Sequence, residues 1–396
     1  MSQCGSVAEV FGVFLKLGGT SFGGPVAHLG YFRDEFVERR KWLSDSEYAD
    51  LVALCQFLPG PASSQVGMAL GLRRAGYLGM AAAWAAFTLP SAIALVCFAL
   101  GLATLDDATH AGWLTGMKAA AVAVVAHAVI GMAGSLVTDA WRALIAVSAM
   151  VLVLLVPSPW VQVAAILVGA AAGFGLLRGD GGTADAASRD RAMQQQSKGV
   201  GVTCLALFAG LLVALPLIAR GGDVGLGIVD TFYRAGALVF GGGHVVLPLL
   251  EQAVVPNGLV GEDVFLAGYG AAQAVPGPLF TFASFLGASA HGIHWALGAV
   301  LATVAIFLPA ALLVAGAMPF WDQLRAHPAS RSVLAGANAA VVGIPAAALY
   351  TPVFTSGISG PATMALAAVA FVALRSWKAP AWAVVIGAAL VGFIAL

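Results

Sequence analysis

The sequence predicts an all-α, polytopic transmembrane helix bundle of two inverted-topology repeats with Pro-Gly-broken helices. Three observations carry that reading. Of 396 residues, 60% are hydrophobic and only 10% are charged, where a soluble domain has about 25% charged. The apolar residues fall in runs long enough for a bilayer, in which open strands cannot satisfy their backbone and helices can. A six-residue phrase also recurs: Gln56-Phe57-Leu58-Pro59-Gly60-Pro61 returns as Gln273-Ala274-Val275-Pro276-Gly277-Pro278, 217 positions later.

About thirteen apolar segments are long enough, or nearly so, to cross. The first repeat, 1–177, holds about six, at 7–31, 49–72, 76–101, 112–135, 141–156 and 160–177. A hydrophilic linker, 178–199, follows. The second repeat, 200–396, holds about seven: 200–219 stands alone, then 230–255, 264–288, 295–318, 332–350, 361–373 and 381–396. The start, Met1-Ser2-Gln3-Cys4-Gly5, lacks the basic stretch and cleavage site of a signal peptide.

Sidedness follows from arginine and lysine. The linker carries Arg178, Arg189, Arg191 and Lys198, so the positive-inside rule makes it cytoplasmic. Arg73, Arg74, Arg325, Arg331, Arg375 and Lys378 then also fall inside, and Asp106-Asp107 falls outside. The loop with Arg33, Arg39, Arg40 and Lys41 disagrees, because crossings on both sides put it outside. A re-entrant hairpin at 49–72 would return it to the inside.

The duplication reaches beyond the shared phrase. Lys16 and Phe22-Gly23-Gly24 match Arg234 and Phe240-Gly241-Gly242 at a separation of 218. Leu89-Pro90 matches Leu308-Pro309 at 219, and Gly116 matches Gly336 at 220. Equivalent segments are seven apart, an odd number, which predicts opposite orientations; a miscount by one would make the duplication parallel. Paired broken helices at corresponding positions of two halves point to a transporter's binding site.

The candidate residues cluster at those breaks. Gly18-Gly19-Thr20-Ser21-Phe22-Gly23-Gly24-Pro25 is too glycine-rich for a helix interior, and its free amides with the Thr20 and Ser21 hydroxyls would form an anion nest. The second cluster, Gly241, Gly242, Gly243 and His244, follows Leu238-Val239 instead of Thr-Ser. Close helix packing explains glycines alone. Pro59 and Pro276 each remove a backbone donor, so a new half-helix with a partly positive N-terminus can begin after Gly60-Pro61 and Gly277-Pro278. Ser63 and Thr281 follow the breaks, and Gln56 and Gln273 precede them with neutral amides. Lys16 and Arg234 lie deep in their segments, where a cation costs roughly 2.5–3.5 kcal/mol, and together would neutralise a dianion. Against this, Lys16 can snorkel and Asp230 can pair with Arg234. His127 and His244 are embedded groups able to carry protons; His28 marks the end of the first apolar segment.

Other classes are excluded. Net charge is zero, which suggests no nucleic-acid partner. Cys4, Cys55, Cys97 and Cys204 are dispersed without metal-site or disulfide spacing. There is no His-Glu-x-x-His, Gly-x-Ser-x-Gly or P-loop, so no enzyme, cofactor or metal centre is expected.

With these phrases the chain resembles the chromate ion transporter family of the two-domain, long-chain type. The resemblance rests on Phe14-Leu15-Lys16-Leu17-Gly18-Gly19-Thr20-Ser21-Phe22-Gly23-Gly24-Pro25, on Leu58-Pro59-Gly60-Pro61, on the stretch from Phe240 to Pro248 and on Gln273 to Leu279. It implies a multi-pass inner-membrane secondary transporter that exports chromate, confers chromate resistance and is coupled to the proton-motive force by antiport. The implied partners are chromate and the lipid bilayer; a homodimer is left open. Sulfate, a tetrahedral dianion of similar size, is the alternative substrate, in the uptake direction, and a passive anion channel is the alternative mechanism. The resemblance places the family's conserved region on Lys16, Gly23, Gly24, Pro25, Pro59, Gly60 and Pro61, and on Gly241, Gly242, Pro276, Gly277 and Pro278.

Overall fold

The computed structural model describes residues 5–21, 24–104, 107–156, 159–177, 197–239, 246–320 and 328–395. Linker residues 178–196 lie outside the described residues, as do Gly23, Gly241, Gly242, Gly243 and His244. Among the described residues every regular element is helical. The first half comprises α1 (Val7–Thr20), α2 (Gly24–Arg33), α3 (Asp45–Phe57), α4 (Ala62–Ala103), α5 (Asp107–Leu136), α6 (Ala140–Leu155) and α7 (Pro159–Leu176). Then come α8 (Lys198–Ile218), α9 (Val224–Leu238), α10 (Val246–Val254), α11 (Glu262–Ala274), α12 (Phe282–Ala288), α13 (Trp295–Ala317), α14 (Pro328–Ala348), α15 (Pro361–Arg375) and α16 (Ala381–Ala395).

This is a polytopic membrane bundle. Ala62–Ala103, Gly112–Gly134, Lys198–Gly221 and Trp295–Phe320 are long and apolar enough to cross a bilayer. Leu78, Leu155, Ile394 and Phe393 lie exposed on the outside, a placement that lipid favours and water does not. Small residues set the close helix contacts, in matched pairs. A Cβ on Gly392 of α16 would stand 2.8 Å from the Cα of Gly116 on α5, and one on Gly173 of α7 would stand 2.6 Å from the Cα of Gly336 on α14.

Four of the thirteen apolar segments fold back on themselves instead of running through. The first, 7–31, is α1 and α2. The Gly5 N–H donates to the Arg74 carbonyl at 3.1 Å, and α1, capped by the Ser6 hydroxyl, runs inward to Ser21. α2 then returns, so that Phe32 and Phe36 pack on Phe14 with ring centroids 5.6 and 5.1 Å apart. The second, 49–72, starts from the same end, where Glu47 accepts from Arg73 at 2.8 Å. α3 runs in to Pro59-Gly60-Pro61, and the first part of α4 comes back to Arg73. Ala75 and Gly76 leave helical geometry (φ −142° and +66°), and the rest of α4 turns away through the bundle. The second half does the same with 230–255 and 264–288. A Cβ on Gly292 would lie 3.4 Å from Val224 at the start of α9, and the His291 N–H donates to the Leu259 carbonyl at 3.0 Å. Both ends of α9–α10 and of α11–α12 therefore stand together.

The hairpins also settle the basic loop that conflicted with the charge rule. Arg40 and Arg74 both approach Glu9, at 3.8 and 3.1 Å, and flank the Trp42 ring. The 33–47 loop thus shares an end with Arg73 and Arg74. Buried Glu35 accepts from Arg39 at 3.0 Å and Arg40 at 2.7 Å. Burial pushes its carboxyl up, but the Arg40 hydrogen bond and charge, then Arg39 and Lys16, outweigh this and hold it below the ordinary carboxylate range. A depressed acid contributes stability that is complete above its unfolded pKa and is lost as pH falls through its folded one. Glu35→Gln is therefore expected to cost about 1–2 kcal/mol near neutral pH, between an exposed and a buried pair. The gap between variant and wild-type melting temperatures should close below roughly pH 4; a gap independent of pH would show that the carboxylate charge is not what holds the loop.

Candidate functional site

The described inner ends of the hairpins meet, and each half grips the other. The Gly60 N–H donates to the Val239 carbonyl at 2.6 Å, and the Gly277 N–H donates to the Ser21 carbonyl at 2.9 Å. Both donors are the glycines of the repeated Pro-Gly-Pro, and both acceptors are the residues at which α1 and α9 end. Each glycine has positive φ, +121° at Gly60 and +95° at Gly277, backbone that side-chain-bearing residues disfavour. The long helices brace this junction. A Cβ on Gly18 would stand 2.7 Å from the Phe87 carbonyl of α4, and Gly236 makes the corresponding approach to the Ile306 carbonyl of α13.

Polar groups around the junction are buried and several lack partners. Ser21 and Gln65 are fully buried, and Ser64 and Thr88 are 2% and 3% exposed. Among the described residues, Ser21 Oγ, Ser64 Oγ, Thr88 Oγ1 and Gln65 Oε1 have no hydrogen-bond partner, a state that costs about 1–3 kcal/mol per group unless something fills it. The Gln65 amide nitrogen holds the Pro59 carbonyl at 2.7 Å. Ser63 and Ser64 stand in the first turn of α4, whose amide hydrogens have no intrahelical acceptor. Neutral donors on a helix N-terminus suit an oxyanion.

His28 belongs here too, although the sequence singled it out only as a segment end. It is 1% exposed. Its Nε2 lies 3.2 Å from the Ser21 carbonyl and its Nδ1 lies 3.3 Å from Ser63 Oγ. The ring thereby joins the tips of both first-half hairpins, on the carbonyl that also receives Gly277. The available signal was a histidine inside an apolar run just past a glycine break.

The other predicted residues divide. Pro59, Gly60, Pro61, Ser63, Ser21, Pro276, Gly277 and Pro278 are at the junction, and Gly24 opens α2 beside it. Thr281 is buried there, its hydroxyl donating to the Pro278 carbonyl at 2.7 Å. Gln273 closes α11 just before the break, and among the described residues its Nε2 has no hydrogen-bond partner. Lys16 and Thr20 lie exposed on the outer face of α1, the Thr20 hydroxyl returned to the Lys16 carbonyl at 2.8 Å. Lys16 is five residues before Ser21, about 7.5 Å along the helix. Arg234 donates to buried Asp230 at 2.6 Å. The two cations are thus not brought together at the tips. Gln56 is exposed, and His127 sits on α5, half-buried, its Nδ1 without a partner among the described residues.

A cavity of about 560 Å³ lies to one side, between α4, α5, α11 and α16. Phe98, Trp113, Met117, Val275 and Phe393 are among its walls, and every lining side chain is apolar. It offers an oxyanion nothing.

The chromate transporter family profile matches residues 8–174 and again residues 226–393. The chain belongs to the chromate transporter family. Its relatives within that family include the chromate transport protein of Pseudomonas aeruginosa, 30% identical over 356 residues that cover 86% of this chain and 79% of that one. The probable chromate transport protein of Synechococcus elongatus is 29% identical over 373 residues, 87% of this chain and 84% of its own. The chromate transport protein of Cupriavidus metallidurans is 28% identical over 390 residues, 96% and 91% respectively. No solved structure matches. Each family match contains one Gly-rich break and one Pro-Gly-Pro, so the junction between tips lies between the two family domains.

Proposed function

We propose that the protein is a secondary transporter that exports chromate across a bacterial inner membrane and so confers chromate resistance, driven by the proton-motive force. The carrying observation is the reciprocal pair of hydrogen bonds between tips, set among buried hydroxyls that have no partner among the described residues. The relatives' names supply chromate; the chemistry of the junction supports a tetrahedral dianion held by neutral donors.

The two domains, 1–177 and 200–396, are inverted in this reading. Beyond Pro90, α4 runs outward beside α12: Ser284 Oγ lies 3.3 Å from the Ala92 carbonyl oxygen, and the Phe98 and Phe285 rings stand 5.8 Å apart. Leaving the tips along α4 therefore means approaching the open end of the second-half hairpins. First-half hairpins would open to the cytoplasm with Arg40, Arg73 and Arg74, and second-half hairpins to the opposite side. Rocking one domain against the other would expose the junction to each side in turn.

Lys16 in this mechanism works on the cytoplasmic side of the tips, where it raises the local concentration of anions. Radiolabelled chromate uptake into everted vesicles measures it. Lys16→Ala is expected to raise the half-saturating chromate concentration several-fold at low salt, with the maximum rate kept and the difference fading at high salt. Uptake equal to wild type at low salt would remove Lys16 from the path. Competition by sulfate in the same vesicles decides between chromate and sulfate, and flux that ignores imposed gradients marks a passive channel.

A further inference from the structure

We propose that His28 is the proton-linked positioning residue of the anion site, neutral when the tips are empty and protonated at Nδ1 when a dianion occupies them. The inference rests on the tip junction being the anion site. A carbonyl has no proton to give, so the Nε2 that faces the Ser21 carbonyl carries the hydrogen and donates it. In the neutral ring Nδ1 then accepts, and its partner Ser63 spends its hydroxyl hydrogen there. When water in the opened site delivers a proton to Nδ1, the ring becomes a donor at both nitrogens. Ser63 Oγ then accepts, and its hydroxyl hydrogen is released to turn elsewhere.

Two consequences favour an anion together. A full positive charge appears within one hydroxyl of the junction, and Ser63 in the first turn of α4 gains a free donor. No bond other than N–H is made, and no partner beyond a proton is needed. Among the described residues nothing charged stands against the ring. Its neighbours among the described residues are Ser21, Ser63 and Phe87, whose ring stands perpendicular with centroids 5.4 Å apart. The charged groups on the surrounding elements are engaged elsewhere: Lys16 is on the outer face of α1, Arg33 at the end of α2 pairs with Asp45, Glu47 on α3 holds Arg73, and Arg74 holds Glu9. Tyr48 on α3 donates to the Leu29 carbonyl, and Cys55 is fully buried. The 275–281 segment brings no ionisable side chain. The counterpart position in the second half is Val246, and His244, two residues before it, lies outside the described residues.

Linkage makes the effect reciprocal: the factor by which a proton strengthens anion binding is the factor by which the anion strengthens proton binding. Purified full-length protein in nanodiscs, with radiolabelled chromate as probe, tests this by equilibrium dialysis across pH on the alkaline side of chromate's own protonation. Wild-type affinity is expected to fall by up to tenfold per pH unit. His28→Gln keeps a donor toward Ser21, and His28→Asn keeps a polar group toward Ser63; neither can titrate. Each is expected to bind more weakly, with an affinity flat in pH. Equal pH slopes in wild type and either folded variant would overturn the proposal. So would misfolding of both, which would make His28 a structural residue. Failure of wild type to bind chromate at any pH would instead bring down the tip site, and the proposal with it.

Discussion

Gly277→Ala is expected to cost at least tenfold in chromate uptake and to lower the folded yield. Its positive φ, +95°, costs an L-residue roughly 1–3 kcal/mol. Its new methyl would stand 2.8 Å from Ser91 Oγ and 3.3 Å from the Phe87 carbonyl. Ser91 cannot yield freely, because its hydroxyl donates to the Thr88 carbonyl at 3.1 Å. The tip must lift, and the bond from the Gly277 N–H to the Ser21 carbonyl goes with it, about 1 kcal/mol more. The total approaches 3–5 kcal/mol against a typical domain stability of about 5–15. Gly60→Ala meets softer resistance, since its nearest neighbour at 3.0 Å is the end of the Gln65 side chain, yet that amide holds the Pro59 carbonyl. The double variant should therefore leave little folded protein, because the two tips share one junction and their costs couple. Uptake together with fluorescence-detected size exclusion separates the effects. Wild-type uptake by folded Gly277→Ala would show that the crossed hydrogen bonds are incidental to transport.

The junction was partly legible in the sequence, for a physical reason. Proline, glycine and a repeated spacing announce where helices break, and every break named by Pro59-Gly60-Pro61 and Pro276-Gly277-Pro278 is a hairpin tip. What hydropathy could not show is the direction taken after the break. A run of 25 apolar residues satisfies the length of a crossing whether it continues or folds back, and only distant contacts such as Glu47 with Arg73 decide. The conflict over Arg33, Arg39 and Arg40 was the trace of that error, since charge sidedness is blind to local helix direction. Lys16 and Arg234 matched in sequence but diverge in space, because Asp230 captures one and nothing buries the other. His28 escaped for the opposite reason: its neighbours Ser21 and Ser63 are 7 and 35 residues away, and the pairing exists only once two hairpins meet.

Reversing the membrane potential is expected to reverse the net movement of chromate, and the size of the response counts the charge carried. The junction offers serine and threonine hydroxyls, a glutamine amide and backbone N–H groups to the anion, with no fixed cation at the tips among the described residues. A dianion bound that way crosses with both charges, and 100 mV is then worth about 4.6 kcal/mol, or roughly a 2,000-fold equilibrium ratio. If the His28 proton travels with it, one net charge moves and the ratio falls to roughly 50-fold. If the proton returns to the side it came from, the larger value stands. In the proposed cycle an inside-negative cell would expel the anion either way, and export would need only the electrical part of the proton-motive force. Uptake would need at least two protons per anion merely to cancel the field. Proteoliposomes with potassium diffusion potentials of either sign make the measurement. Accumulation that ignores the sign of the potential would mean an electroneutral cycle, and export driven by the field would have to be abandoned.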